Sequence, residues 1–236
     1  MSVRLLCATM FGIVAAASAQ AGTITVANGG TTATVTATSA LGTPAPFTLV
    51  NFGNAGTNGF VSNAPVAFAG GVVSFTGGTT PRSGVYDGSV TNVAISPYTG
   101  TTLNNGNYLV AEPNGSVVVS YTTAQSAVNL LWGSLDAYDI LNLQFLNGST
   151  VIGNITLNGS QVGSAYGVVA DGNPAAYVSI TPGGSLSSFN TLIATASIAA
   201  FEFNIGSGGT SVPEPATLAL LATGLVGLGL RRSRKI

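Results

Sequence analysis

The chain has 236 residues, 46% of them hydrophobic but only 6% charged, with a formal net charge of −1. It has no histidine and a single cysteine, Cys7, which excludes Ser-His-Asp and Cys-His nucleophilic machinery and removes the usual ligands of zinc. Between residues 22 and 212 one basic residue, Arg82, stands against six acids, namely Asp87, Glu112, Asp136, Asp139, Asp171 and Glu202; an acidic stretch with no basic patch excludes nucleic acid and anionic membrane surfaces as its partners.

The N-terminus reads as a signal peptide over residues 1–21. Arg4 opens a positive region and residues 5–17 are an apolar run of signal-peptide length. Two overlapping small-x-small sites follow, Ala17-Ser18-Ala19 and Ala19-Gln20-Ala21. Cleavage is expected after Ala19 or Ala21, so the mature chain begins at Gln20 or Gly22. The implied partners are the Sec export machinery and signal peptidase. The alternative, a short membrane anchor, is disfavoured because the run is too short to span comfortably. Leu6 before Cys7 does not fit a lipidation site. With Cys7 in the leader, the mature domain has no disulfide and draws its stability from an apolar core.

Residues 22–205 show no long helical periodicity, and the clearest segments alternate. Over 140–146, Leu141, Leu143 and Phe145 share one face while Asn142 and Gln144 share the other. Asn147-Gly148 is a hairpin signal. Val151, Gly153, Ile155 and Leu157 then form one face of the next strand, with Asn154 and Thr156 opposite, and Asn158-Gly159 is expected to close it. Residues 117–121 and 177–180 read as strands, as does the end of the domain, where Phe201, Phe203 and Ile205 alternate with Glu202 and Asn204. Many short strands with glycine-rich turns predict an all-β domain, and a jelly-roll-like β-sandwich is favoured.

One segment stands out: Leu131-Trp132-Gly133-Ser134-Leu135-Asp136-Ala137-Tyr138-Asp139-Ile140-Leu141. It resembles a W-G-S-x-D-x-Y-N signature of a family of exosortase-dependent surface proteins. The likeness extends to Asn107-Tyr108-Leu109-Val110 and Gly115-Ser116 before it, and to Phe145 and Asn147-Gly148 after it. Ala200-Phe201-Glu202-Phe203-Asn204-Ile205 resembles an F-E-x-D-N-I ending, so the likeness covers residues 83–205. Asp139 stands where the signature has Asn, and Asn204 stands near its Asp-Asn. The resemblance implies no activity.

Three kinds of chemistry are open to the residues of these two segments. Asp136, Asp139, Glu202 and Asn204 supply oxygens of the sort calcium takes; the preferred reading is that Asp136 caps a turn and the others are solvated strand faces. Trp132 and Tyr138 could stack on a sugar, although a lone Trp in a sandwich is more often core. Two carboxylates can run glycoside hydrolysis, but Asp136 and Asp139 are close in sequence, not set across a cleft, and the chain is expected not to be an enzyme. Asn114, Asn147, Asn154 and Asn158 open N-x-S/T triplets, but the Asn-Gly cases are explained by turns and a bacterial host makes the triplets uninformative.

Residues 206–210 read as a flexible linker. Then come Val212-Pro213-Glu214-Pro215, an apolar run over 216–230, and a tail over 231–236 carrying Arg231, Arg232, Arg234 and Lys235. As a helix, 216–230 is about 22 Å long at ~1.5 Å per residue. The basic tail can extend that span by snorkelling and should stay in the cytoplasm. The prolines fix their own φ and bias Val212 and Glu214 to extended shapes, leaving a stiff tripeptide at the outer face of the membrane. This arrangement resembles the PEP-CTERM sorting signal, whose bearers are substrates of the membrane protease or transpeptidase exosortase in bacteria that make exopolysaccharide. The resemblance implies an exported protein of a Gram-negative bacterium. It would be held briefly in the inner membrane through 216–230, then cut and left at the cell surface or outside the cell. A structural or exopolysaccharide-associated role is expected for the domain, the alternative being a carbohydrate-binding module. No resident cofactor is expected unless calcium binds.

Overall fold

The computed structural model describes residues 21–207 apart from 29–30, 43, 55, 57, 78–81, 100, 102, 104–105, 168–174 and 184–187. Residues 1–20 of the leader expected over 1–21, the PEP segment, the apolar run over 216–230 and the basic tail lie outside the described residues, while Ala21 opens the first strand. Among those described, no helix is long and apolar enough to cross a membrane.

The domain is all-β. Its strands are β1 (Ala21–Asn28), β2 (Thr31–Ser39), β3 (Gly59–Ser62), β4 (Val66–Phe68), β5 (Gly71–Gly77), β6 (Gly84–Asp87), β7 (Tyr108–Ala111), β8 (Gly115–Gln125), β9 (Val128–Trp132), β10 (Ile140–Asn147), β11 (Thr150–Asn158), β12 (Ala176–Pro182), β13 (Phe189–Ala196) and β14 (Phe201–Ile205). One short helix, α1 (Gly159–Ala165), follows β11. The strands form two antiparallel sheets. The first runs β1-β2-β12-β9-β14-β7-β6-β3 and the second β11-β10-β13-β8-β5-β4.

Both sheets contribute to one core. Val35, Leu130, Trp132 and Phe203 from the first meet Val119, Leu143, Phe145 and Leu192 from the second. Each large apolar side chain taken from water here stabilises the fold by about 1.5–3 kcal/mol. In the second sheet the one-sided pattern is clearest in β10. In β10, Leu141, Leu143 and Phe145 are fully buried while the residues between them are half-buried or exposed, as alternation predicts.

The first sheet differs. Its central strands β7, β9 and β14 are buried along their whole length, because a second apolar cluster covers their outer face. There Tyr86, Tyr108, Val110, Leu131 and Tyr177 pack against Ala40, Phe47, Ala94 and Tyr98 from the connections that follow β2 and β6. Glu202 and Asn204, expected as a solvated strand face, are therefore buried. Their alternation with Phe201, Phe203 and Ile205 was legible; the cover over the polar face was not.

Two turn expectations are refined. The hairpin between β10 and β11 pairs Asn147 with Thr150, so Gly148, at φ 60°, and Ser149 form its loop. A bulge lies between the Phe145–Gly153 and Leu146–Val151 pairs. The extra residue inverts the faces beyond it: Val151, expected beside Ile155 and Leu157, is exposed, while Ile152 packs on the core. At Asn158-Gly159 the chain enters α1 instead of a tight turn. Asn158 accepts from Gln161 N–H at 2.8 Å, and the Gln161 side chain accepts from Asn158 N–H at 3.0 Å, a reciprocal cap on the helix.

Candidate functional site

Strand register brings the acids together. On β14, Glu202 lies opposite Val110 of β7. Glu112, two residues beyond Val110, projects to the same side of the sheet by the two-residue period. The connection from β9 to β10 adds Asp136 and Asp139. These four carboxyl groups line one cleft of about 450 Å³, together with Asn92, Ile95, Ser134, Tyr138 and Ile198. Its rim is apolar, since Ile95, Tyr138 and Ile198 are all exposed.

The W-G-S segment builds one wall, and each of its letters has a local cause. Trp132 is fully buried, edge-on to Phe201 with ring centroids 4.9 Å apart. Gly133 is required by close approach: a Cβ there would lie 2.3 Å from the Pro97 Cα. Its N–H donates to the Glu202 carbonyl at 2.9 Å. Ser134 takes a left-handed φ of 50° and turns the chain away from β9. Leu135 is buried. Asp136 N–H donates to Asp139 Oδ2 at 2.8 Å, and Asp139 N–H donates to the Asp136 carbonyl at 3.1 Å. The turn is thus capped by Asp139, where Asp136 was expected to cap it. The Asp136 carboxylate instead accepts from the Tyr138 hydroxyl at 2.6 Å, which holds the exposed ring at the rim. Gly159 completes the wall, because a Cβ there would lie 1.9 Å from the Asp136 carbonyl oxygen.

Electrostatics follow from burial without a basic partner. Burial pushes the Glu112 carboxyl up to about 7. Asp139 is also pushed up to about 7, by burial first and by the Asp136 charge to a lesser degree, against the lowering effect of its backbone hydrogen bond. Glu202 is raised well above the ordinary range, chiefly by burial, with the Asp139 and Glu112 charges adding to it. Ile95 N–H, which donates to Glu202 Oε1 at 3.2 Å, works the other way. Tyr138 is raised to about 12, first by its hydrogen bond to Asp136. Glu112 Oε1 is buried with no hydrogen-bond partner. Arg82, the one basic side chain among the described residues, sits over the Phe60 ring at 6.0 Å and does not line the cleft.

Of the residues singled out in the sequence, Asp136, Tyr138, Asp139 and Glu202 line the cleft; Asn204 and Trp132 do not. Asn204 is a structural tie. Its amide donates to the Val50 carbonyl at 3.0 Å and to the Tyr98 hydroxyl, and its Oδ1 accepts from Ile205 N–H at 2.7 Å. Among the described residues, no three His, Cys, Asp or Glu side chains come together as a metal-holding group. Trp132 offers no surface to a sugar, so of the aromatic pair Tyr138 alone could do so. Glu112 was missed by sequence reasoning. Its signal was an acid closing the apolar run Tyr108-Leu109-Val110-Ala111 just before the turn at Pro113-Asn114.

The sorting residues Val212, Pro213, Glu214, Pro215, Arg231, Arg232, Arg234 and Lys235 lie outside the described residues, and comparison with known families bears on them. No curated protein and no solved structure matches the chain. A family model, the PEP-CTERM protein-sorting motif, matches residues 211–235. Pro213-Glu214-Pro215, the apolar run and the basic tail all lie inside that match, so the chain carries a PEP-CTERM sorting motif, which supports a protein sorted by exosortase to the cell surface.

Proposed function

We propose that the mature domain is a non-catalytic structural module of the cell surface or extracellular matrix, associated with exopolysaccharide. The observation that carries the reading is the sorting motif at 211–235. Export begins at the leader over 1–21, through the Sec machinery and signal peptidase. Residues 216–230 then hold the chain in the inner membrane, stopped by Arg231, Arg232, Arg234 and Lys235, while exosortase reads Pro213-Glu214-Pro215 on the outer side.

The domain suits such a role. We read β7 to β14 as a jelly roll: the first sheet contains the order β12-β9-β14-β7 and the second β11-β10-β13-β8, so that the first and last strands of the eight are neighbours. With no histidine and the one cysteine in the leader, the chain lacks the usual nucleophile and base. A second reading, a carbohydrate-binding module, is favoured by the exposed Tyr138 ring above the acidic cleft.

The test of sorting is replacement of Glu214 by Ala, or of both Pro213 and Pro215, in the native host. Full-length protein should then accumulate in the membrane fraction on immunoblots, with export intact. Trimming and distribution like those of the wild type would overturn the reading.

A further inference from the structure

We propose that the acidic cleft binds an amino sugar, a hexosamine unit carrying a free ammonium group. The inference rests on the exopolysaccharide-associated reading and names the ligand chemistry for it.

Two independent features meet in this cleft. Its polar wall holds four carboxyl groups with no basic side chain among its lining residues, so a cation is the complementary charge. Glu112, only 4% exposed, lines the cleft with Oε1 lacking any hydrogen-bond partner. Such a group is costly to leave unpaired, and a charge-assisted hydrogen bond from an ammonium relieves that cost.

The rim selects the body that carries the charge. Ile95, Tyr138 and Ile198 are three large apolar side chains exposed around one opening. The Tyr138 ring is 56% exposed and tethered to Asp136, which leaves a flat apolar face held in place. The C–H face of a pyranose packs on such a ring, while its hydroxyls find acceptors in Asp136, Asn92 and Ser134. A bare divalent ion would leave the rim unused, and no set of three carboxylates is gathered for it among the described residues. A cleft of about 450 Å³ accommodates a sugar ring, more than a thin alkylamine fills. Burial disfavours the charged forms of Glu112, Asp139 and Glu202, and an ammonium in the cleft offsets that penalty where a neutral sugar does not.

The test is calorimetry on the processed protein purified from its host, with β-1,4-linked glucosamine oligomers, N-acetylated oligomers of equal length, and a lysine oligopeptide. The glucosamine oligomer should bind, and acetylation should weaken binding by about tenfold or more, because it removes the ammonium. Glu112→Gln and Tyr138→Ala should each weaken binding by a similar factor, about tenfold. Both variants should retain the wild-type circular dichroism spectrum, since Gln is isosteric with Glu and Tyr138 is a surface side chain. Absence of glucosamine binding, equal binding of the acetylated oligomer, or binding that survives both substitutions overturns the proposal. Tighter binding of the lysine oligopeptide overturns it in favour of a basic protein segment. Any of these results leaves the sorting reading standing, because that reading is tested by the size and location of the protein. Co-fractionation of Tyr138→Ala protein with exopolysaccharide, in the absence of cleft binding, would separate matrix association from this site.

Discussion

Asp139 and Asp136 hold each other's backbone: the Asp139 carboxylate accepts from Asp136 N–H at 2.8 Å, and Asp139 N–H donates back to the Asp136 carbonyl at 3.1 Å. This closed turn sets the Tyr138 ring at the cleft rim and seats the start of α1 against Asp136. Replacing Asp139 with Ala removes the acceptor and is expected to destabilise the domain by about 1–2 kcal/mol in urea unfolding. Asp139→Asn keeps an acceptor and removes a buried charge, so it should cost less. Equal losses for the two variants would show that the hydrogen bond does not hold the turn.

Stability should fall as the solution is made alkaline. Glu112 and Asp139 are raised to about 7, and Glu202 well above its ordinary range. The folded state therefore holds protons that the unfolded chain has already released. The contribution of these groups is fully present below their unfolded values, 4.5 for Glu and 3.8 for Asp, and is lost as pH rises through the folded values. The midpoint of thermal unfolding is expected to drop by roughly 4–8 °C or more between about pH 5 and about pH 8. The profile should flatten in a Glu112→Gln variant. A midpoint that rises over that interval contradicts the burial argument.

Trp132 and Tyr138, close in sequence, should behave oppositely. Trp132→Ala empties a core site beside Phe201 and should cost about 3–5 kcal/mol. Tyr138→Ala changes an exposed ring and should stay within about 0.5 kcal/mol. Chemical denaturation of both decides the matter, and a large loss at Tyr138 would mean that the rim is part of the core.

Gly133→Ala places a methyl group 2.3 Å from the Pro97 Cα. Backbone has to move, and a loss of about 1–3 kcal/mol is expected. A fully stable Gly133→Ala protein would show that the segment around Pro97 is free to retreat from β9.

Asn204 joins β14 to both covering segments, through Val50 on one side and Tyr98 on the other. Asn204→Ala should speed hydrogen exchange at Val50 N–H, which donates to the Ile205 carbonyl at 2.8 Å, and in the residues around Tyr98, more than in β10 or β13. Uniform acceleration across both sheets would place the tie in global stability and not in the cover.

The sequence alone determined the sorting signal, because that information is linear: a proline-framed acid, an apolar run and a basic tail act in chain order, whatever the domain does. It also determined the all-β class, since two-residue alternation in segments such as 140–146 is local. The two-turn span of α1 was too short to register as helical periodicity, and the bulge that exposes Val151 depends on the register of a partner strand. Only the tertiary structure decided the site. Glu112 and Glu202 stand 90 residues apart in the chain and meet because β7 pairs with β14. Their burial depends on the cover supplied by Ala40, Phe47, Ala94 and Tyr98, which no local pattern in β14 announces. Asn204, polar and alternating like Glu202, was separated from the cleft for the same reason: Val50 and Tyr98 reach it from distant segments and claim its hydrogen bonds.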